Sequence, residues 1–174
     1  MNSASIRLTA ASLLLSASFG ATAAHATGVV AGTQIANTAT ATYDSRAASI
    51  SIQSNTVTVR VDELLNVAVT SLSANPTATA AGTTVLTYQI TNIGNGPESF
   101  DLTADPAASA NAFDPALQSI AYDTNGNGVY DAGADIILAT GTPTPVLGPD
   151  ISLTVFVLTT LPGTATDGQT GQVR

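Results

Sequence analysis

Apolar residues recur at every second position along most of this chain, and nowhere do they keep the three-to-four spacing of a helix or a heptad. Val57, Val59 and Val61 alternate with Thr56, Thr58 and Arg60, the period of a half-buried strand. Upstream, Ala39, Ala41 and Tyr43 share one face of a run whose other face is Thr38, Thr40 and Thr42. Asp44-Ser45-Arg46 reads as a reversal between the two runs, so residues 27–63 are expected to form a β-hairpin region. Asp62-Glu63 is a charged joint, after which Val67 and Val69 open a second series of strands punctuated by Asn75-Pro76 and Ala81-Gly82.

In that second series Leu86, Tyr88 and Ile90 share a face, and so do Phe100, Leu102 and Ala104. The glycines of residues 92–97, Asn-Ile-Gly-Asn-Gly-Pro, can take positive φ, which predicts a hairpin joining these two runs. Further strands are expected at 119–122, 135–139 and 151–160, with 168–174 starting one more. Short strands separated by Gly, Pro and Asn turns predict an all-β fold, an immunoglobulin-like Greek-key β-sandwich over residues 64–174. Residues 167–174 end without a capping turn or polar tail. The expectation is a sandwich truncated at its last strand and belonging to a longer chain, whose partners would be following domains or other surface proteins.

The first residues break the pattern. Arg7 supplies a positive start, residues 8–19 an apolar stretch, and Ala24-His25-Ala26 a small-residue cleavage site, so residues 1–26 read as a Sec-type signal peptide. The alternative is a retained membrane anchor, but a span needs about 20 predominantly apolar residues and this stretch is shorter and broken by Ser and Thr. No later run is long enough, so the mature chain is expected to be secreted or placed in the cell envelope, without a transmembrane segment. Cleavage would remove His25, the single histidine; with no Cys, Lys or Trp in the sequence, triad catalysis, Schiff bases and His or Cys metal sites are then lost. A paired-carboxylate hydrolase needs two acids across a cleft and usually aromatic sugar platforms, whereas aromatics are 5% here. The expectation is therefore a protein that is not an enzyme. Its formal net charge of −8 would repel phosphate backbones, which argues against a nucleic-acid partner.

One segment carries ion chemistry. Asp123, Asn125, Asn127 and Asp131 stand at positions 1, 3, 5 and 9 of a loop with Gly128 at 6 and the Val129 carbonyl at 7, the ligand plan of an EF-hand-type calcium loop. A hard dication takes six to eight oxygens, and alternate residues on a tightly curled backbone can all point inward. Ala134 replaces the bidentate Glu of position 12, and Asp135, one place later, is the candidate to close the shell. Three Asp in so short a stretch repel one another unless a cation lies among them. With few carboxylates, Ca2+ is expected to bind weakly, on the order of 10⁻⁴ to 10⁻³ M. The metal-free reading is a hairpin loop, since Asn125-Gly126 and Asn127-Gly128 are both turn signals. Glu98, Asp101, Asp105 and Asp114 extend the acidic character and read as a solvated face. The tyrosines and phenylalanines read as packing rather than as a ligand platform.

Four stretches together resemble exported bacterial cell-surface proteins built from immunoglobulin-like conserved-repeat domains: residues 35–43 (IANTATATY), 54–59 (SNTVTV), 91–98 (TNIGNGPE) before Phe100, and the 123–131 loop. The resemblance implies the N-terminal portion of a large, non-enzymatic envelope protein. It points to a structural or adhesive module, the alternative being a carbohydrate- or peptide-binding module that tethers a partner or enzyme.

Overall fold

The computed structural model describes residues 28–45, 48–79 and 82–174; the expected signal segment lies outside them. Among the described residues every regular element is a strand and every pairing is antiparallel. The strands are β1 (Gln34–Asn37), β2 (Thr40–Ser45), β3 (Ala48–Gln53), β4 (Val57–Arg60), β5 (Val67–Ser71), β6 (Thr83–Asn92), β7 (Ala116–Tyr122), β8 (Ile136–Leu138) and β9 (Ser152–Thr160).

The first four strands form a two-stranded ribbon. β1 pairs with β4, and β2 with β3, in two antiparallel ladders that follow one another along the chain. Residues opposite each other share a face, so Tyr43 lies with Ile50, Ala41 with Ile52, and Ile35 with Val59. Thr40, Thr42, Asp44, Ser49, Ser51 and Gln53 take the other side. Two residues separate β1 from β2 but three separate β3 from β4, and this extra residue acts as a bulge. It preserves the facing: Val57 and Val59 are odd-numbered and Ile50 and Ile52 even-numbered, so without it the apolar stripe would change sides at the middle of the ribbon. Ser54 closes the break by donating its N–H to the Ala39 carbonyl and accepting the Ala39 N–H on Oγ, both at 2.9 Å.

The expected hairpin region thus contains four strands, with β2 ending and β3 beginning around the reversal read at residues 44–46, whose Arg46 lies outside the described residues. Ser49-Ile50-Ser51-Ile52 is a strand in its own right and takes β2 as its partner. Alternation fixes which way each side chain points but carries no information about which alternating run lies alongside.

The remaining strands form one five-stranded sheet in the order β5-β6-β9-β7-β8. β9 is central and buried on both faces: Val155, Phe156, Val157 and Leu158 are all buried, Phe156 completely. That is why its sequence reads as a continuous apolar run instead of an alternating one. On one face Leu86, Tyr88 and Ile90 of β6 stand beside Val157, Val155 and Leu153. On the other, Phe156, Leu158 and Ala121 make the core cluster, with Val85 and Tyr130 packed against it.

Extended segments without regular strand structure cross the first face. The Tyr88 hydroxyl donates to the Val173 carbonyl at 3.1 Å, and Arg174 exchanges two backbone hydrogen bonds with Asp105, at 2.7 and 2.9 Å. Glu98 and Leu147 exchange another pair at 2.9 and 2.7 Å. The result is an all-β, sandwich-like body with one regular sheet and one irregular layer. Phe100, Leu102 and Ala104 belong to that layer and do not pair with β6, so the hairpin expected across residues 92–97 does not form. Their alternation still sets their facing, but Phe100 bonds across to Thr144 and Glu98 to Leu147.

Candidate metal loop

The loop of residues 123–135 leaves the end of β7 and enters β8, and it is wound by its own side chains. Asp123, Asn125 and Asn127 each accept the N–H two residues ahead, at 3.1, 3.1 and 2.8 Å. Such Asx turns curl the backbone in one direction. Gly126 and Gly128 sit at φ +74° and +73°, which a side chain would make strained. Asp123 also takes the Gly126 and Gly128 N–H groups, at 2.7 and 2.8 Å. The N–H groups, Gly128 first, hold its carboxyl below the ordinary Asp value although partial burial pushes the other way.

Three of the expected ligands are gathered at one point. Asn125 and Asn127 both donate their side-chain N–H to Asp131 Oδ2, at 3.0 and 2.6 Å. Their side-chain oxygens are held meanwhile by the Asn127 and Val129 N–H groups. Among the described residues no hydrogen bond reaches the Val129 carbonyl, which leaves that oxygen open. Asp135, the candidate to close the shell, is held within the loop. It is nearly buried, its Oδ1 accepts the Thr124 N–H at 3.1 Å, and its Oδ2 accepts the Asp131 N–H at 2.7 Å. It braces the two limbs of the loop. Among the described residues no three His, Cys, Asp or Glu side chains form a metal-binding group. The oxygens gathered in this loop are mainly amide and carbonyl groups around Asp123 and Asp131, a set of low charge. Tyr130 anchors the loop to the body, meeting Phe156 edge-on with ring centroids 5.8 Å apart.

A second constellation lies where the ribbon meets the sheet. Asn95 Oδ1 accepts the Leu64 N–H at 2.7 Å, and its Nδ2 donates to the Asp62 and Val29 carbonyls at 3.0 and 3.2 Å. Its backbone N–H donates to the Leu64 carbonyl and its carbonyl accepts the Ala31 N–H, at 3.2 and 2.9 Å. One side chain thus ties both limbs of the ribbon base to the loop after β6. Asn92, fully buried, donates to the Gly96 and Leu147 carbonyls at 2.8 Å each and accepts the Gly94 N–H at 2.9 Å. Gly94 and Gly96 are absent from the positive-φ residues. Gly94 has no room for a side chain, because a Cβ there would strike the Leu64 carbonyl, whereas one at 96 would meet the movable end of Glu63. The Glu98 carboxyl is raised above its ordinary value by desolvation first and by the neighbouring Glu63 carboxyl second. Read from sequence, these asparagines and glycines are turn residues; the signal of a clasp was two Asn and two Gly within five positions, which a simple turn does not require.

Comparison of the chain with protein-family models, with characterised proteins and with solved structures finds no match.

Proposed function

We propose that this chain is a non-enzymatic structural or adhesive module of an exported bacterial surface protein, an immunoglobulin-like Greek-key sandwich stiffened by calcium at the 123–131 loop. The observation that carries this reading is the convergence of Asn125 and Asn127 on Asp131 within a loop already curled by three successive Asx turns. Calcium would be held by Asp123, Asn125, Asn127, Asp131 and the Val129 carbonyl, with Asp135 or water completing the shell. Its effect would be to lock the β7–β8 end of the sheet through Tyr130 and Phe156. A site of this charge suits the millimolar calcium that an exported protein meets. The crossing of the chain from β6 to the irregular layer, and the return of β9 between β6 and β7, support the Greek-key reading.

A thermal melt tests the proposal. In millimolar calcium the midpoint rises relative to chelator by a few degrees, the rise expected at roughly ten times the dissociation constant, and Asp131→Asn removes it. Equal midpoints in calcium and chelator would eliminate the ion. The carbohydrate-binding alternative needs an aromatic platform, and among the described residues Tyr43 is the one exposed aromatic side chain. A single ring does not make such a platform, which is why the structural reading is preferred.

A further inference from the structure

An Asn-Gly step is where an asparagine amide is most open to attack by its own chain, because glycine carries no Cβ to hinder its nitrogen. The sequence contains three such steps, Asn95-Gly96, Asn125-Gly126 and Asn127-Gly128. The reaction needs only water. The glycine nitrogen loses its proton to solvent and bonds to the asparagine side-chain carbonyl carbon; the bond from that carbon to the side-chain nitrogen breaks, and ammonia leaves. Water then opens the cyclic imide at either of its carbonyls, giving aspartate or its β-linked isomer.

The three steps differ in their surroundings. Gly96 is buried, and the Asn95 amide is engaged in the clasp, accepting from Leu64 and donating to Asp62 and Val29. Residues 125–128 are instead all exposed, and a Cβ at Gly126 or Gly128 would meet nothing within 4 Å, so water and the reacting groups have room. The Asx turns lay each side-chain carbonyl across the peptide it would react with, since Asn125 Oδ1 accepts the N–H of Asn127 and Asn127 Oδ1 that of Val129. What opposes attack is Asp123. Its Oδ1 accepts the Gly126 N–H at 2.7 Å and its Oδ2 the Gly128 N–H at 2.8 Å, so both attacking nitrogens face one carboxylate. That charge disfavours the negative character each nitrogen must gain before it can attack.

We infer that Asn125 and Asn127 are self-modifying sites of this chain, deamidated by the Gly126 and Gly128 nitrogens, and that Asp123 holds the rate down while the loop is wound. Conversion proceeds from local openings in which the two N–H groups leave the carboxylate. Its products change the loop. An acid at position 125 or 127 has no N–H to give Asp131 Oδ2, so the contacts now made at 3.0 and 2.6 Å give way to repulsion between like charges. Asn95 keeps its amide for as long as the clasp is closed. The inference goes beyond the calcium reading and does not rest on it, because the rates are measured in chelator.

Peptide mass spectrometry of the full chain, incubated in chelator at mildly alkaline pH, follows the three asparagines separately. In guanidinium chloride all three convert. In the folded wild type positions 125 and 127 convert at least about tenfold more slowly, and Asp123→Ala speeds them by about tenfold to a hundredfold, the worth of a hydrogen bond to a charged group. Asn95 stays an amide in both, the sign that the variant is folded. Asp131→Ala frees the two side-chain amides but leaves the Gly126 and Gly128 N–H groups on Asp123, so conversion stays slow; this variant decides the matter if Asp123→Ala also releases Asn95. Folded wild type that converts at 125 and 127 as fast as the denatured chain would overturn the inference. So would a folded Asp123→Ala that converts no faster than wild type, or Asp131→Ala that converts like the denatured chain with Asn95 intact.

Discussion

A buried amide is costly unless every donor and acceptor is used, and Asn92 meets that condition with two donations and one acceptance, all within 2.9 Å. Its main chain is engaged as well, accepting from Asp150 at 2.8 Å and donating to Ile151 at 3.0 Å. One side chain therefore joins the end of β6, the loop after it and the segment around Leu147. Asn92→Asp keeps the shape but turns two donors into lone pairs facing the Gly96 and Leu147 carbonyls, with a charge in place of a neutral group. The expected loss is about 3 kcal/mol, read as a lower urea midpoint with an unchanged slope. Neither the burial of this asparagine nor the close approach at Gly94 was legible in the sequence, because Asn-x-Gly carries the same letters whether it turns freely in water or packs against a distant carbonyl such as that of Leu64.

At the scale of elements, the strands whose alternation was plain, β4 and β6, and the apolar run of β9 lie where the sequence placed them. What alternation could not reveal was partnership: β2 lies against β3, and the 100–104 run bonds across to the 144–147 segment. The 123–135 loop was legible for a different reason, since its Asx turns are made by side chains two residues from the N–H groups they accept. Its acid response follows from the same bonds. Asp123 titrates below its ordinary value in the fold, so its contribution is complete above the usual Asp value near 3.9 and fades as pH falls through the lower folded value. Glu98 has the opposite sign: raised in the fold, it stabilises below the unfolded Glu value and loses that contribution as pH rises through its folded one. The Asp123 part is isolated by comparing wild type with Asp123→Asn in urea from pH 7 to pH 2. The wild-type advantage holds down to about pH 4 and shrinks below it; a constant difference would mean that the Asp123 bonds do not depend on charge.

Across the whole molecule, stability is divided unevenly by construction. β9 is hydrogen-bonded on both sides and carries half of the buried apolar residues, whereas each ribbon strand has one neighbour and no cover. Opening β9 requires the sheet to come apart; opening β2 from β3 exposes no buried apolar side chain, because its stripe is already in water. Native-state hydrogen exchange should therefore separate them, with ribbon amides exchanging at least about a hundredfold faster than those of β9, a gap of near 3 kcal/mol in opening free energy. The Asn95 clasp predicts a gradient inside the ribbon: β1 and β4, next to the tied base, exchange more slowly than β2 and β3 at the far end. Equal protection in ribbon and β9 would instead show that the clasp makes them one cooperative unit.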